Sequence, residues 1–446
     1  MTKPHTSLSE INQSISIPKK SPFWKSLWLF SGPGALVAVG YMDPGNWITS
    51  VTGGAQLGYL LLAIVLLSSL MAMQLQQMAG KLGLVTGQDL AQIIAAKLPK
   101  SLRILFWIIT ELALMATDLA EVLGSAIALH LLFGWPLLLA IIVTIGDVFL
   151  LLGLMKIGFR KIEAVVATLI LTILAIFTYL VILSKPDVSQ IAQGFVLRPK
   201  DIGLGHPAPP HALLLSLGII GATVMPHNLY LHSAISQTRK VNHDEPDELT
   251  RAVRLMTWDS NIQLTLAFVV NSLLLILGAS LFMGNADKIG SFASMYNALK
   301  DPMIAGNIAS PLLSTLFAVA LLASGQNATI TGTLTGQIVM EGFLTFKLPQ
   351  WAIRFLTRLI VLIPVILVAL IWGTKEVVLD KLLIYSQVFL SLALPFSIFP
   401  LIYFSSQKTI MKQFANAKWN TLLAYLIAGF LSLLNLVLII QIFNGI

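Results

Sequence analysis

The chain has no cysteine in 446 residues. That excludes disulfides, thiolate metal sites and cysteine nucleophiles, and it leaves the redox compartment unspecified. Charge is scarce as well: only 11% of residues are Asp, Glu, Lys or Arg, against about 25% in soluble domains. Residues 1–25 are polar and lack the apolar core and small-residue cleavage site of a secretory signal, so they are expected to form a flexible cytoplasmic tail. Neither a G-x-x-x-x-G-K-[ST] loop nor an H-E-x-x-H pair is present. ATP-driven pumping by this chain and zinc proteolysis therefore have no motif.

What the chain does have is apolar length. It is 56% hydrophobic with mean hydropathy +0.84, and runs near the roughly 20 residues that cross a bilayer recur along it. The fold class expected is an all-α membrane protein, with residues 26–446 forming one transmembrane domain and no room for a separate soluble one. Eleven spans are predicted, at 28–56, 57–79, 102–132, 136–155, 162–183, 212–237, 256–283, 307–335, 352–372, 380–404 and 420–443. If the N-terminus is cytoplasmic, the tail and the inner loops hold 21 of the 28 Lys and Arg residues. That three-to-one bias is a positive-inside signal, and it places the C-terminus outside. The net charge of +8 follows from this topology and does not indicate nucleic-acid binding.

Two spans are interrupted. In "AVGYMDPGNWIT", residues 38–49, Asp43 sits at membrane depth beside Pro44 and Gly45. A buried charge there costs about 2.5–3.5 kcal/mol on insertion scales. Proline removes a helical hydrogen bond and clashes with the preceding turn, so span one should unwind near its middle. Unwound backbone at this depth is tolerated only where protein or a watery cavity satisfies it. Span six repeats the form in "GIIGATVMPHNLYLHS", residues 218–233, where Pro226 and Asn228 match Pro44 and Asn46. Spans one and six are five apart, and an odd number of spans per repeat inverts the second copy. Inverted repeats over about 28–183 and 212–404, with span 420–443 appended, are therefore expected. Paired broken helices point to a secondary transporter's binding site.

The donors available at the breaks are the Asp43 carboxylate, the Asn46 amide oxygen, the Met225 thioether and a freed carbonyl near Ala222. Oxygen ligands alone suit Mg²⁺ or Ca²⁺. A thioether adds softness and favours Mn²⁺ or Fe²⁺, although core packing is the commoner role of methionine. Gln387 in span ten fits either an additional side-chain oxygen or a helix–helix hydrogen bond, and Thr223 fits a water-mediated ligand.

"DPGN" and "MPHN", together with "ASGQNATITGTLTGQIVMEGF" at 323–343, resemble the Nramp family of proton-coupled divalent metal transporters. The resemblance covers about 28–443. It implies a LeuT-like 5+5 inverted-repeat fold and import of Mn²⁺ or Fe²⁺ with protons, with no resident cofactor. It also implies metal ligation by Asp43, Asn46, Met225 and the carbonyl of Ala222. Met225 departs from the magnesium-transporting branch.

Span three, "TELALMATDLAEVLGSA", places Glu111, Asp118 and Glu121 on one helical face. Three carboxylates on one membrane helix need water or basic partners. Arg354 and Arg358 in span nine and His227 and His232 in span six are available, the two histidines diverging around their helix. The expected relay has metal at Asp43 biasing His227 and Asp118 to release a proton, which Glu121 and the arginines pass inward. A plain ion-pair network joining spans three and nine is the competing reading. Asp147 and Asp259 are expected to be structural, and the small residues of 323–343 to serve close helix packing. The rival functions are a Mg²⁺ carrier, disfavoured by Met225, and a Na⁺-coupled symporter of small organic substrates, disfavoured by Asp43. A membrane hydrolase lacks a nucleophile near His227, and a channel lacks a repeated pore loop. The expected partners are metal ions, protons and lipid. One repeat pair suffices for a monomer, in a bacterial plasma membrane.

Overall fold

Prolines set the helix starts. The computed structural model describes residues 7–18, 20–144, 146, 153–154, 158–196, 212–285, 289, 291–344, 352, 356, 359–360, 363 and 376–443. A short strand β1 (Ile15–Ser16) precedes α1 (Phe23–Phe30), α2 (Pro33–Gly40), α3 (Pro44–Leu57), α4 (Leu62–Thr86), α5 (Leu90–Lys97), α6 (Lys100–Phe133), α7 (Leu137–Thr144) and α8 (Phe159–Ser184). The second half runs α9 (Ala212–Thr223), α10 (Pro226–Ile235), β2 (Arg239–Lys240), α11 (Pro246–Phe282), α12 (Pro311–Phe343), α13 (Glu376–Ala393), α14 (Pro395–Ser406) and α15 (Lys418–Phe443). Pro33, Pro44, Pro226, Pro246, Pro311 and Pro395 each open a helix, where a missing N–H costs nothing. Gly87 and Gly134 stop α4 and α6 as left-handed caps, and Gly58 ends α3 with a positive φ of 61°.

Among the described residues, eight helices are long and apolar enough to cross a membrane. Predicted span one is not among them because its break leaves two short helices, α2 and α3, end to end. Span four is described over its first half, as α7, whereas span nine lies largely outside the described residues, as do Asp147, Arg354 and Arg358. Span six is the axis of the bundle: its apolar window is 94% buried, against 33% for α15 at the periphery. Predicted span eight ends late. Its helix continues to Phe343, eight residues past the predicted end, so the 323–343 motif is helical throughout.

The tail expected to be flexible is folded onto the bundle over residues 7–18. Leu8 and Ile11 are 2% and 5% exposed within the main core. The Leu8 amide donates to Glu341 Oε2 at 3.0 Å, and the Gln13 amide donates to the Gln237 carbonyl at 3.0 Å. β1 then pairs in parallel with β2, Ile15 opposite Arg239. Apolar residues spaced to bury together, with backbone pairing that satisfies their amides, outweigh the polar average of the segment.

Candidate metal site at two broken helices

The two breaks face each other and exchange asparagines. Asp43 is extended (φ −68°, ψ 164°) and caps α3, its Oδ1 accepting from the Asn46 amide N–H at 2.9 Å. Asn46 Nδ2 donates to the same Oδ1 at 2.8 Å and across to the Ala222 carbonyl at 2.7 Å. In the other direction Asn228 lies against Gly40 and donates from Nδ2 to the Val37 carbonyl at 3.5 Å. Each Asn that follows a proline break thus reaches the first half of the other broken helix, as an inverted repeat requires.

The carbonyls freed in span one are satisfied by side chains that sequence inspection missed. Met42 O accepts from Trp47 Nε1 at 3.0 Å and from Ser324 Oγ at 2.5 Å. Tyr41 O accepts from Asn271 Nδ2 at 2.8 Å. Buried polar residues on α11 and α12 were the available signal, but their partners are more than 200 residues away.

The buried oxygens at the junction without a hydrogen-bond partner among the described residues include Asp43 Oδ2, Asn46 Oδ1 and Gln387 Oε1, with Asn228 Oδ1 also unpartnered in the second break. Gln387 is fully buried and sits where a side chain on Gly45 would stand, so it adjoins Asp43 Oδ2. An orphaned buried oxygen costs about 1–3 kcal/mol, and three that converge from the start of α3 and from α13 mark a place for a cation. Among the described residues no three His, Asp or Glu side chains cluster in a metal-binding geometry. The site therefore offers one carboxylate and neutral donors. Met225 is completely buried, against Ala113 of α6 and Leu390 and Ala393 of α13. Thr223 Oγ1 is committed to its own helix, donating to Ile219 O at 2.7 Å.

The acidic and basic groups divide between two routes. His227 Nδ1 lies 3.2 Å from Thr117 Oγ1 on α6, one residue before Asp118. Asp118 and Glu121 both lie against Gly332 of α12, where an added Cβ would stand 2.7–2.9 Å from their oxygens. Glu111 is half-buried further along the same helix. His232 faces the other way, its Nδ1 3.0 Å from Gln76 Oε1, while Gln76 Nε2 donates to Tyr41 Oη at 2.8 Å. Asp259 caps α2, accepting from Gly34 N at 2.8 Å and Ser31 Oγ at 2.7 Å. Beside it Glu163 binds Arg239 Nη1 at 2.6 Å and Arg160 Nη1 at 2.9 Å. Arg239 also holds the Phe30 and Ser31 carbonyls. This buried cluster ties the start of span one to spans five and six.

A bundle built on two facing broken helices is the architecture of an inverted-repeat secondary transporter. The fold superposes on the transporter MhsT in complex with L-phenylalanine (TM-score 0.58, 15% identity, 92% of this chain and 98% of that one), a likeness of fold alone. The chain belongs to the Nramp family: residues 34–441 match the family described as natural resistance-associated macrophage protein-like. It is 55% identical to the divalent metal cation transporter MntH of Latilactobacillus sakei, over 98% of this chain and 94% of that protein. It is 52% identical, with TM-score 0.90, to the Eremococcus coleocola manganese transporter, crystallised with an aromatic bis-isothiourea compound; the match covers 97% and 90% of the two chains.

Proposed function

We propose that this chain imports divalent transition-metal ions, Mn²⁺ and Fe²⁺, in symport with protons. The observation that carries the reading is the set of three orphaned oxygens, from Asp43, Asn46 and Gln387, at the meeting point of the two broken helices. The names of the relatives, a divalent metal cation transporter and a manganese transporter, support the same substrate class. Asp43 Oδ2, Asn46 Oδ1 and Gln387 Oε1 supply oxygen ligands. The Ala222 carbonyl joins them when the Asn46 amide releases it. Met225 supplies the soft ligand that disfavours Mg²⁺ and Ca²⁺.

Protons travel along the other face of the site. His227 hands its proton through Thr117 to Asp118, and Glu121 takes it on toward Arg354 and Arg358; Glu111 polarises the chain. Access alternates as the half-helices swing about the breaks, in a monomer of the bacterial plasma membrane with its N-terminus inside and its C-terminus outside. Met225→Ala tests the ligand set. Mn²⁺ uptake should persist in part, while excess Ca²⁺ or Mg²⁺, harmless to the parent protein, competes at least about tenfold better. Unchanged selectivity would remove the thioether from the site.

A further inference from the structure

We infer that His232 and Met256 form a second divalent-metal site, soft in character, on the cytoplasmic side of the broken helices. The inference rests on the transport reading for the ion's arrival and gives His232 a ligand's role instead of a relay's. His232 is fully buried and Met256 is 1% exposed. Gln76 fixes the imidazole: its amide N–H₂ donates to Tyr41 Oη, which leaves its carbonyl oxygen to accept from His232 Nδ1–H. His232 Nε2 then carries the lone pair, and it has no hydrogen-bond partner among the described residues. A histidine whose Nδ1–H is held by an amide oxygen and whose Nε2 is bare has the arrangement of a metal ligand.

What Nε2 faces supplies the second donor. A Cβ placed on Gly80 of α4 would stand 2.6 Å from Met256 Sδ and 2.8 Å from His232 Nε2, so sulfur and nitrogen border the same small volume. An imidazole and a thioether are both ligands for later transition metals and poor ones for Mg²⁺ or Ca²⁺. His232 follows Met225 by seven residues, about 10 Å along a helix. An ion released from Asp43 toward the cytoplasm would meet it next. With two neutral donors and no carboxylate, the site binds more weakly than the first, as a step on an exit route must.

Cd²⁺, which favours nitrogen and sulfur, is the probe. Equilibrium binding to the purified full-length protein should saturate at about two ions per chain, the second the weaker. Met256→Leu, which conserves volume, and His232→Gln should each remove only the weaker ion, and Asp43→Asn only the tighter. A parent protein that binds one ion, or a Met256→Leu variant that keeps both, would overturn the assignment and leave the His232–Met256 contact as packing. An Asp43→Asn variant that keeps both ions, with the other two variants losing one, would count against the primary site and uphold this one.

Discussion

Asp89 shows at a single residue how burial and capping oppose each other. It lies between α4 and α5, outside the spanning helices, and closes a capping box with Gln92 at the start of α5. Burial pushes its carboxyl up to about 6, although the Gln92 amide N–H, which donates to Oδ1, pulls the other way. A raised carboxyl takes up a proton more readily folded than unfolded, so its contribution to stability falls as pH rises from about 4 to about 6. Asp89→Asn keeps the cap and removes the charge. The detergent-solubilised variant should melt a few degrees higher than the parent near neutral pH and at the same temperature near pH 4. A lower melting temperature at both pH values would contradict this account. Glu163 makes the opposite case. Glu163→Gln leaves Arg239, whose side chain is fully buried, without its countercharge. Breaking such a pair costs about 3–5 kcal/mol, the amide's retained hydrogen bond holding the loss near the lower figure, and a thermal melt would register it. An unchanged melt would mean that the Phe30 and Ser31 carbonyls, Thr238 Oγ1 and the nearby Asp259 suffice for the guanidinium.

At the scale of the element, the helix of the 323–343 motif and the acidic helix act as a pair. Gly332 of α12 leaves room for Asp118 and Glu121 of α6. Gly332→Ala should displace both carboxylates while leaving the Asp43–Gln387 junction intact. Mn²⁺ binding is expected near the parent level, with the pH dependence of uptake weakened about tenfold. A normal pH profile would remove these two acids from the proton route. The breaks themselves were legible in the sequence because acid, proline, glycine and asparagine at membrane depth conflict with every local preference of a spanning helix. The small residues of 323–343 were legible as packing for the same kind of reason. Their partners were not. Whether Ser324 would reach Met42, Asn271 reach Tyr41, or Gly332 meet the acids of α6 depends on which helices touch, and spacing along one helix does not encode that. The buried Glu163–Arg239 pair was missed because each residue, taken alone, belongs to a loop flank where charge is ordinary.

Across the whole molecule, the hydropathy pattern and the position of the two breaks were enough to indicate the repeat and its inversion. The crossed asparagines, Asn46 to Ala222 and Asn228 to Val37, give that symmetry its physical form. The N-terminal segment was misjudged from its average polarity. Four apolar residues, Leu8, Ile11, Ile15 and Ile17, decide its placement, and it links the start of span one to α12 and to the end of span six. It thereby joins both repeats on one face. If the two broken helices hold a transition-metal ion whose passage carries protons, both properties can be read together as metal uptake into liposomes containing the full-length protein, with an internal dye reporting pH. Mn²⁺ entry accompanied by acidification of the interior, undisturbed by excess Ca²⁺ or Mg²⁺ and abolished in Asp43→Asn, is the result expected. Mg²⁺ entry with no change in internal pH would contradict it, and would mean that the orphaned oxygens at the junction receive a hydrated hard cation instead.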